Sequence, residues 1–242
     1  MELVYASKQF SVFDNVLSEQ EFQHVWSYVQ TEDYQVVHRY KWQKVYRLSD
    51  GLPLEGSPVF SEPLPGVEPD KIRVFPTNTG IDVLFKRLLD NAHLFVEWIG
   101  KKGEQWHILS GKSFLYPNGS GLSWHNDRFG RTGSFSYYAH PHWNVQWGGE
   151  LLVADDTVKD IRLPQPERYG SDQQKLVGSQ LDNTYENERL MELGVGQYVL
   201  PKPNRLVVIG GGNLHRINGS ESAGTHVRCS ISGFFMTSKK DK

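Results

Sequence analysis

Apolar residues near the start of the chain recur with helical spacing. Phe22, Val25, Trp26 and Val29 follow the i, i+3, i+4, i+7 pattern, directly after the sequence Ser18-Glu19-Gln20-Glu21. A serine followed three residues later by a glutamate is the signature of a capping box at a helix start. The pattern therefore predicts an amphipathic helix that begins at about residue 19.

A second helical pattern runs from Ile81 to Trp98, where leucine and phenylalanine recur every three or four residues. Between the two helices, residues 50–76 are rich in glycine, proline and serine and show little periodicity, which is typical of a long loop. The N-terminal part, about residues 1–105, is thus predicted to be a helical support.

Beyond Lys102 the pattern changes to short β-type runs separated by turns. The predicted strands are Trp106–Tyr116, Gly133–Ala139, Glu150–Ala154, Gln197–Leu200, Arg205–Ile209 and Val227–Phe235. Helices followed by a run of strands favour an α+β fold in which the helices brace a β-sandwich or barrel core at about residues 106–236. Residues 155–194 are charged and poorly patterned, and an insertion of this length is predicted to be a lid.

Composition limits the setting of this fold. With 242 residues, 38% of them hydrophobic, the chain is predicted to form one domain over 1–242. A net charge of -2 and a pI near 6.5 argue against nucleic acid and anionic membranes as partners. The N-terminus has no secretory pattern, no apolar run is long enough for a membrane span, and Cys229 cannot form an intramolecular disulfide. We therefore expect a cytoplasmic protein.

The short segment "SWHNDRFGR" carries the candidate chemistry. His125 and Asp127 are two residues apart, so on an extended backbone both side chains project to the same face. His215, which follows an apolar strand and a glycine turn in "RLVVIGGGNLHRING", is the best candidate for a third ligand. Two imidazoles and a carboxylate form the facial triad of non-haem Fe(II) oxygenases, although Zn²⁺ could also accept these ligands.

Arg228 and Ser230 favour an Fe(II) oxygenase over a Zn²⁺ site. In "HVRCSISGFF" they alternate with the apolar residues Val227, Cys229 and Ile231, which predicts a polar pair that points into the core. A buried guanidinium is costly unless an anion meets it, and its planar fork suits a carboxylate. The pattern indicates a dicarboxylate that binds Arg228 and Ser230 at one end and the metal at the other.

Three stretches carry a family resemblance: "YPNGSGLSWHND", "SFSYYAHPHWNVQWGGELLV", and "NRLVVIGGGNLHRI" together with "RCSISGFF". Over about residues 106–235 they resemble the prolyl-4-hydroxylase-like branch of the Fe(II)/2-oxoglutarate-dependent oxygenase superfamily. The resemblance implies a double-stranded β-helix (jelly roll) that binds Fe(II) through His125, Asp127 and His215. It also implies 2-oxoglutarate binding by Arg228 with Ser230, in contact with Tyr116 and Tyr138.

The implied reaction uses O2 and 2-oxoglutarate to hydroxylate an unactivated C–H bond, and it releases succinate and CO2. The substrate would be an amino acid, a peptidyl residue or a natural-product intermediate. Arg128, Arg131 and Trp147 are candidate substrate contacts because they lie beside the metal motif or near the expected pocket mouth. In related halogenases a small residue replaces the carboxylate, so Asp127 favours hydroxylation.

Several alternatives remain open from the residues alone. A cupin-like metal-dependent isomerase or hydrolase could use the same three ligands without 2-oxoglutarate, and a binding module could keep the fold without a metal. The interval from His215 to Arg228 leaves Arg216 as a second candidate for the anchor. We interpret His140 and His142 as parts of a surface loop beside Pro141.

Overall fold

The computed structural model describes residues 1–38, 46–127, 130–158, 184–222 and 224–237. The helices within these ranges are α1 (Glu19–Thr31), α2 (Ile81–Asp90), α3 (Val96–Ile99) and α4 (Thr184–Leu193). The strands, in chain order, are β1 (Glu2–Ala6), β2 (Phe10–Asp14), β3 (Gln35–Val36), β4 (Leu54–Glu55), β5 (Val59–Phe60), β6 (Arg73–Val74), β7 (Ile108–Tyr116), β8 (Leu122–His125), β9 (Arg131–Tyr138), β10 (Leu151–Ala154), β11 (Gly196–Val199), β12 (Leu206–Gly210), β13 (His215–Ile217) and β14 (Arg228–Met236).

The described strands form two sheets. A ten-stranded sheet has the order β1-β2-β12-β9-β14-β7-β4-β3, with β5 and β6 beside β7, and a four-stranded sheet has the order β11-β10-β13-β8. Apart from the parallel pair β5 and β6, neighbouring strands run antiparallel. Two facing antiparallel sheets of this kind are the architecture of a jelly roll.

Alternation along the strands gives the large sheet two different faces. On β14, the side chains of Cys229, Ile231 and Phe235 join a core cluster that also contains Val25 of α1 and Leu84 of α2. The opposite face carries Tyr138 and Val207, which form a second cluster with Leu151, Val153 and Val199 of the small sheet. One face of the large sheet thus shares a core cluster with α1 and α2, and the other shares one with the small sheet.

The helix predicted at residue 19 is confirmed, including its capping box. The Glu21 backbone N–H donates to Ser18 Oγ at 3.3 Å, and the Ser18 N–H donates to Glu21 Oε2 at 2.8 Å. The second helical pattern is interrupted, because α2 ends at Asp90 and a 3₁₀ turn at Ala92–Phe95 precedes α3.

The N-terminal prediction is wrong at residues 2–14 and incomplete for the long loop. Strands β1 and β2 lie in the supposed helical support, where β2 pairs with β12 and β1 pairs with β2, so this part of the chain extends the large sheet. The predicted loop 50–76 contains three two-residue strands, of which β4 and β5 pair with β7. Most of the proposed lid, residues 159–183, lies outside the described residues.

Candidate active site

The small sheet brings the three predicted metal ligands together. His125 ends β8, His215 begins β13, and these two residues are directly paired in the register of the antiparallel strands. Asp127 follows β8 by two residues. One potential ligand atom from each of the three side chains lies within 4.8 Å of the other two.

The three side chains are buried, with exposed fractions of 7% for His125, 7% for Asp127 and 5% for His215. His215 Nε2 lies 3.3 Å from Asp127 Oδ2, and His125 Nε2 lies 3.8 Å from Asp127 Oδ1. Both imidazoles therefore present Nε2 to the same carboxylate. This donor set suits a divalent transition metal such as Fe(II) or Zn²⁺.

Backbone carbonyls fix the tautomer of each histidine. His125 Nδ1 lies 2.8 Å from the Ser123 carbonyl oxygen, and His215 Nδ1 lies 2.9 Å from the Asn213 carbonyl oxygen. Since a carbonyl can only accept, Nδ1 carries the proton in both rings. In the neutral ring, Nε2 then offers the lone pair that a metal requires.

The proton affinities of the cluster also favour a cation. Burial lowers the pKa of His125 to about 4, with a further contribution from the charge of His215. Burial alone would raise the pKa of Asp127, but the hydrogen bond from His215 and the nearby imidazoles hold it well below its usual range. Burial would lower the pKa of His215, and its hydrogen bond with Asp127 raises it instead. A metal can take the place of the proton that His215 and Asp127 share.

Arg228 lies fully buried at the start of β14. Its Nε donates to the Gly149 carbonyl at 2.8 Å, and its Nη1 donates weakly to Ser230 Oγ at 3.4 Å. Its Nη2 has no hydrogen-bond partner within the described part of the chain, and neither has the buried hydroxyl of Tyr138. An unsatisfied guanidinium nitrogen in the core costs free energy, so this corner fits an anionic ligand.

Two tyrosines flank this guanidinium. Arg228 Cζ lies 5.0 Å from the ring centre of Tyr116 and 5.1 Å from that of Tyr138. Tyr116 is the cross-strand partner of Arg228, and Tyr138 is the partner of Ser230. The four residues predicted to bind the co-substrate are thus brought together on the inner face of the large sheet.

The other candidates are placed differently. Arg131 Nη1 lies 3.5 Å from Asp127 Oδ1, and its guanidinium stacks 3.4 Å over the ring of Phe234. Trp147 lies in an aromatic group with Trp143 and His226, at ring distances of 5.3 and 4.7 Å. Arg128 lies outside the described residues.

Two expectations from the sequence need correction. Arg216 lies between the buried His215 and Ile217 on β13, so alternation points it to the other face of the strand. His140 is not part of a surface loop: it is 2% exposed, and its Nε2 donates to the Pro201 carbonyl at 2.7 Å. His142 is exposed, as predicted.

Sequence reasoning missed the residues that support the site. The carbonyl of Gly149, the carboxylate of Asp50 and the backbone of Asn213 contact the site residues or their neighbours. The pair Gly148-Gly149 was a usable signal, because consecutive glycines before a strand mark a special backbone. Asp50 carries no such signal because its partner, Ser123, comes 73 residues later. Asn213 carries none because it acts through its backbone carbonyl, which any residue has.

Comparisons with known proteins agree with this geometry. Residues 112–236, just over half of the chain, match the sequence model of the 2OG-Fe(II) oxygenase superfamily. No curated protein matches the chain.

Solved structures are similar in fold. A Pseudomonas putida prolyl-4-hydroxylase is 15% identical, with a TM-score of 0.57 and coverage of 94% of this chain and 92% of that chain. A Trichoplax adhaerens prolyl hydroxylase, in complex with a peptide fragment of the hypoxia inducible factor oxygen degradation domain, is 16% identical, with a TM-score of 0.52 and coverage of 95% and 84%. IDO from Bacillus thuringiensis is 10% identical, with a TM-score of 0.52 and coverage of 96% and 94%.

Proposed function

Because the chain belongs to the 2OG-Fe(II) oxygenase superfamily, we propose that it uses its 2-oxoglutarate-dependent dioxygenase chemistry to hydroxylate an unactivated C–H bond. The products are the hydroxylated substrate, succinate and CO2. The observation that carries this proposal is the pairing of a buried His-Asp-His cluster with a buried arginine that lacks an anionic partner within the described residues.

In this proposal His125, Asp127 and His215 hold Fe(II), and Arg228 with Ser230 binds the distal carboxylate of 2-oxoglutarate. Iron, 2-oxoglutarate and O2 together supply the oxidising chemistry. The protein binds and orients these groups in a buried setting from which bulk water is excluded. Tyr116 and Tyr138 fix the position of the guanidinium and close the sides of the anion pocket.

Asp127 supports hydroxylation rather than halogenation, since a carboxylate occupies the coordination position that a halide would need. Candidate substrates are an amino acid, a peptidyl residue or a natural-product intermediate. Arg131 and Trp147 are the described residues proposed to contact it, together with Arg128. A peptidyl substrate has support from the peptide bound by the Trichoplax adhaerens prolyl hydroxylase.

The whole chain is proposed to act as one dioxygenase domain. Helices α1 to α3 brace the large sheet from the face opposite the site, consistent with the apolar cluster that they share with β7, β9, β12 and β14. Residues 155–194 are proposed to act as a lid over the substrate.

The test is turnover of purified protein with Fe(II), O2 and 2-oxoglutarate. We expect succinate to form slowly without a substrate and faster when a suitable amino acid or peptide is added. Asp127→Gly should lose hydroxylation while it retains the fold, because one metal ligand is missing. If 2-oxoglutarate neither binds nor is decarboxylated by the metal-loaded wild type, the proposal is wrong, and a metal-dependent isomerase or hydrolase becomes the better interpretation.

A further inference from the structure

A buried carboxylate in the N-terminal part of the chain reaches the strand that carries His125. Asp50 is 6% exposed and lies 73 residues before Ser123. Its Oδ2 accepts the Ser123 backbone N–H at 3.0 Å, and its Oδ1 accepts the Ser123 hydroxyl at 2.8 Å. Its Oδ2 also accepts the Arg47 backbone N–H at 2.7 Å. Hydrogen bonds to an ionised acceptor are about twice as strong as neutral ones.

The backbone around Asp50 adds to this connection. The Gly121 N–H donates to the Asp50 carbonyl at 3.0 Å, and the Leu52 N–H donates to Ser120 Oγ at 3.2 Å. Ser120 is 1% exposed, so these contacts are shielded from water. The segment before β8 is therefore held along its length by the loop that contains Asp50.

Ser123 is the residue whose carbonyl orients His125. His125 Nδ1 donates to that carbonyl at 2.8 Å, which leaves Nε2 directed at Asp127. Groups that hold a metal-ligating histidine in place affect metal binding although they never touch the metal. A shift of Ser123 would rotate or translate the imidazole, because the ring and the carbonyl are joined by this hydrogen bond.

We propose that Asp50 is a positioning residue for the metal centre: its carboxylate fixes Ser123, and Ser123 fixes the imidazole of His125. The proposal rests on the proposed function, in which His125 is a metal ligand. It also means that the metal centre depends on a side chain outside residues 112–236, the part of the chain that matches the superfamily.

The test is Co(II) binding to the whole chain. A titration gives the affinity, and the visible absorption of the bound ion reports its coordination geometry. Asp50→Asn keeps the size of the side chain but removes its charge, and it turns one of the two accepting oxygens into an NH2 group that cannot accept a hydrogen bond. We expect its Co(II) affinity to fall by about 10- to 100-fold, with an altered visible spectrum.

Asp14→Asn is the matched control. Asp14 is also buried, at 5% exposed, and it accepts from Arg205 Nε and Lys202 Nζ, each at 2.7 Å, with no described contact to the three ligands. This variant should be less stable than the wild type but should bind Co(II) with unchanged affinity and spectrum. If Asp50→Asn has the wild-type affinity, or if Asp14→Asn weakens binding equally, Asp50 is not a positioning residue.

Ser123→Ala covers the case in which Asp50→Asn does not fold. It removes one of the two hydrogen bonds between Ser123 and Asp50 and keeps the other, so its Co(II) affinity should fall, but by less than that of Asp50→Asn. Wild-type affinity in a folded Ser123→Ala protein would overturn the proposal. If the wild type forms succinate and a folded Asp50→Asn protein binds Co(II) normally, this inference alone is wrong. If the wild type binds no divalent metal, the proposed function is wrong as well.

Discussion

At the scale of single residues, the imidazoles of His125 and His215 are held in the same way. In each, Nδ1 donates to the carbonyl of the residue two positions earlier, and Nε2 faces Asp127. Each ring thus has one nitrogen occupied by the fold and one available to a metal.

Removal of one ring should therefore remove the metal. We expect His215→Ala to lose bound Fe(II), measured by metal analysis after gel filtration, and to lose succinate formation with it. His142→Ala is the control, because this histidine is exposed and lies outside the buried cluster. A His215→Ala protein that keeps stoichiometric metal and turnover would show that the third ligand is assigned wrongly.

Arg228 should set the affinity for 2-oxoglutarate. Truncation of a desolvated guanidinium that meets a carboxylate costs about 2–5 kcal/mol. The apparent constant for 2-oxoglutarate should therefore rise by roughly 30-fold or more in Arg228→Ala. Arg228→Lys should lose less, because it keeps one charge and loses the fork. Metal content should stay unchanged in both variants.

Arg216 provides the control for this measurement, since it points to the other face of β13. Arg216→Ala should leave the dependence on 2-oxoglutarate as it is in the wild type. The opposite result, with Arg216→Ala impaired and Arg228→Ala normal, would mean that the anchor has been placed on the wrong strand.

His140 should make stability depend on pH. Its Nε2–H donates to the Pro201 carbonyl at 2.7 Å, and its Nδ1 lies 3.1 Å from the carbonyl oxygen and 3.2 Å from the amide nitrogen of Cys229. Burial lowers its pKa to about 4, from an ordinary value of 6.5. The folded state therefore disfavours protonation of His140. The stability that the neutral ring contributes is complete above pH 6.5. It is lost as the pH falls towards 4, by at most about 1.4 kcal/mol per pH unit.

The comparison is urea unfolding of the metal-free wild type and of His140→Gln between pH 7.5 and pH 4. The free-energy difference between the two proteins should shrink as the pH falls, since glutamine does not titrate. A difference that stays constant over this range would exclude His140 as a source of the pH dependence.

At the scale of elements, the turn between β9 and β10 positions Arg228, the proposed anchor of 2-oxoglutarate. Gly149 has φ of +74°, and its carbonyl accepts from Arg228 Nε. A Cβ there would lie 3.0 Å from Arg228 Cδ and 3.2 Å from Trp143 Cζ2. The turn therefore needs glycine both for its backbone conformation and for the approach of the arginine.

Gly149→Ala should weaken 2-oxoglutarate binding as well as the fold. The added methyl group displaces the guanidinium, so the apparent constant for 2-oxoglutarate should rise several-fold. Gly66→Ala is the matched control, because Gly66 has a similar φ of +75° and a Cβ there would meet no atom of the described residues within 4 Å. Equal effects of the two substitutions on 2-oxoglutarate binding would rule out a specific role for Gly149.

At the scale of the whole molecule, the large sheet depends on the residues before the superfamily match. One core cluster contains Phe22, Val25, Leu84 and Phe85 of the helices together with Leu206 and Ile231 of the sheet. Strand β2 pairs with β12, so the sheet is also extended by the N-terminus.

None of the described helices is long and apolar enough to cross a membrane.

Residues 112–236 alone should not fold. Removal of α1 and α2 exposes the apolar face of β9 and β14, and each buried side chain contributes about 1.5–3 kcal/mol. We expect the full chain to unfold in one cooperative transition by calorimetry and the fragment to show none. A fragment that is monomeric and unfolds cooperatively would mean that the N-terminal residues are a separate unit.

Sequence periodicity predicted the elements whose pattern is local. The capping box at Ser18 and the alternation in "RCSISGFF" were sufficient for α1 and for the inner face of β14, because both depend on neighbours a few residues away. The pair His125 and Asp127 could be predicted as ligands for the same reason, and the sequence by itself also selected His215 as their partner.

Contacts between distant segments could not be predicted from the sequence. Strands β1 and β2 join the large sheet because β2 pairs with β12, whose residues come 193 to 199 positions later, and a short apolar run does not reveal its partner. Arg216 and Arg228 were both candidates for the anchor on sequence grounds, and the strand pairing determines which of them faces the site. The hydrogen bonds of Asp50 to Ser123 and of Arg228 to Gly149 arise because chain folding brings together polar groups that burial then requires to be paired.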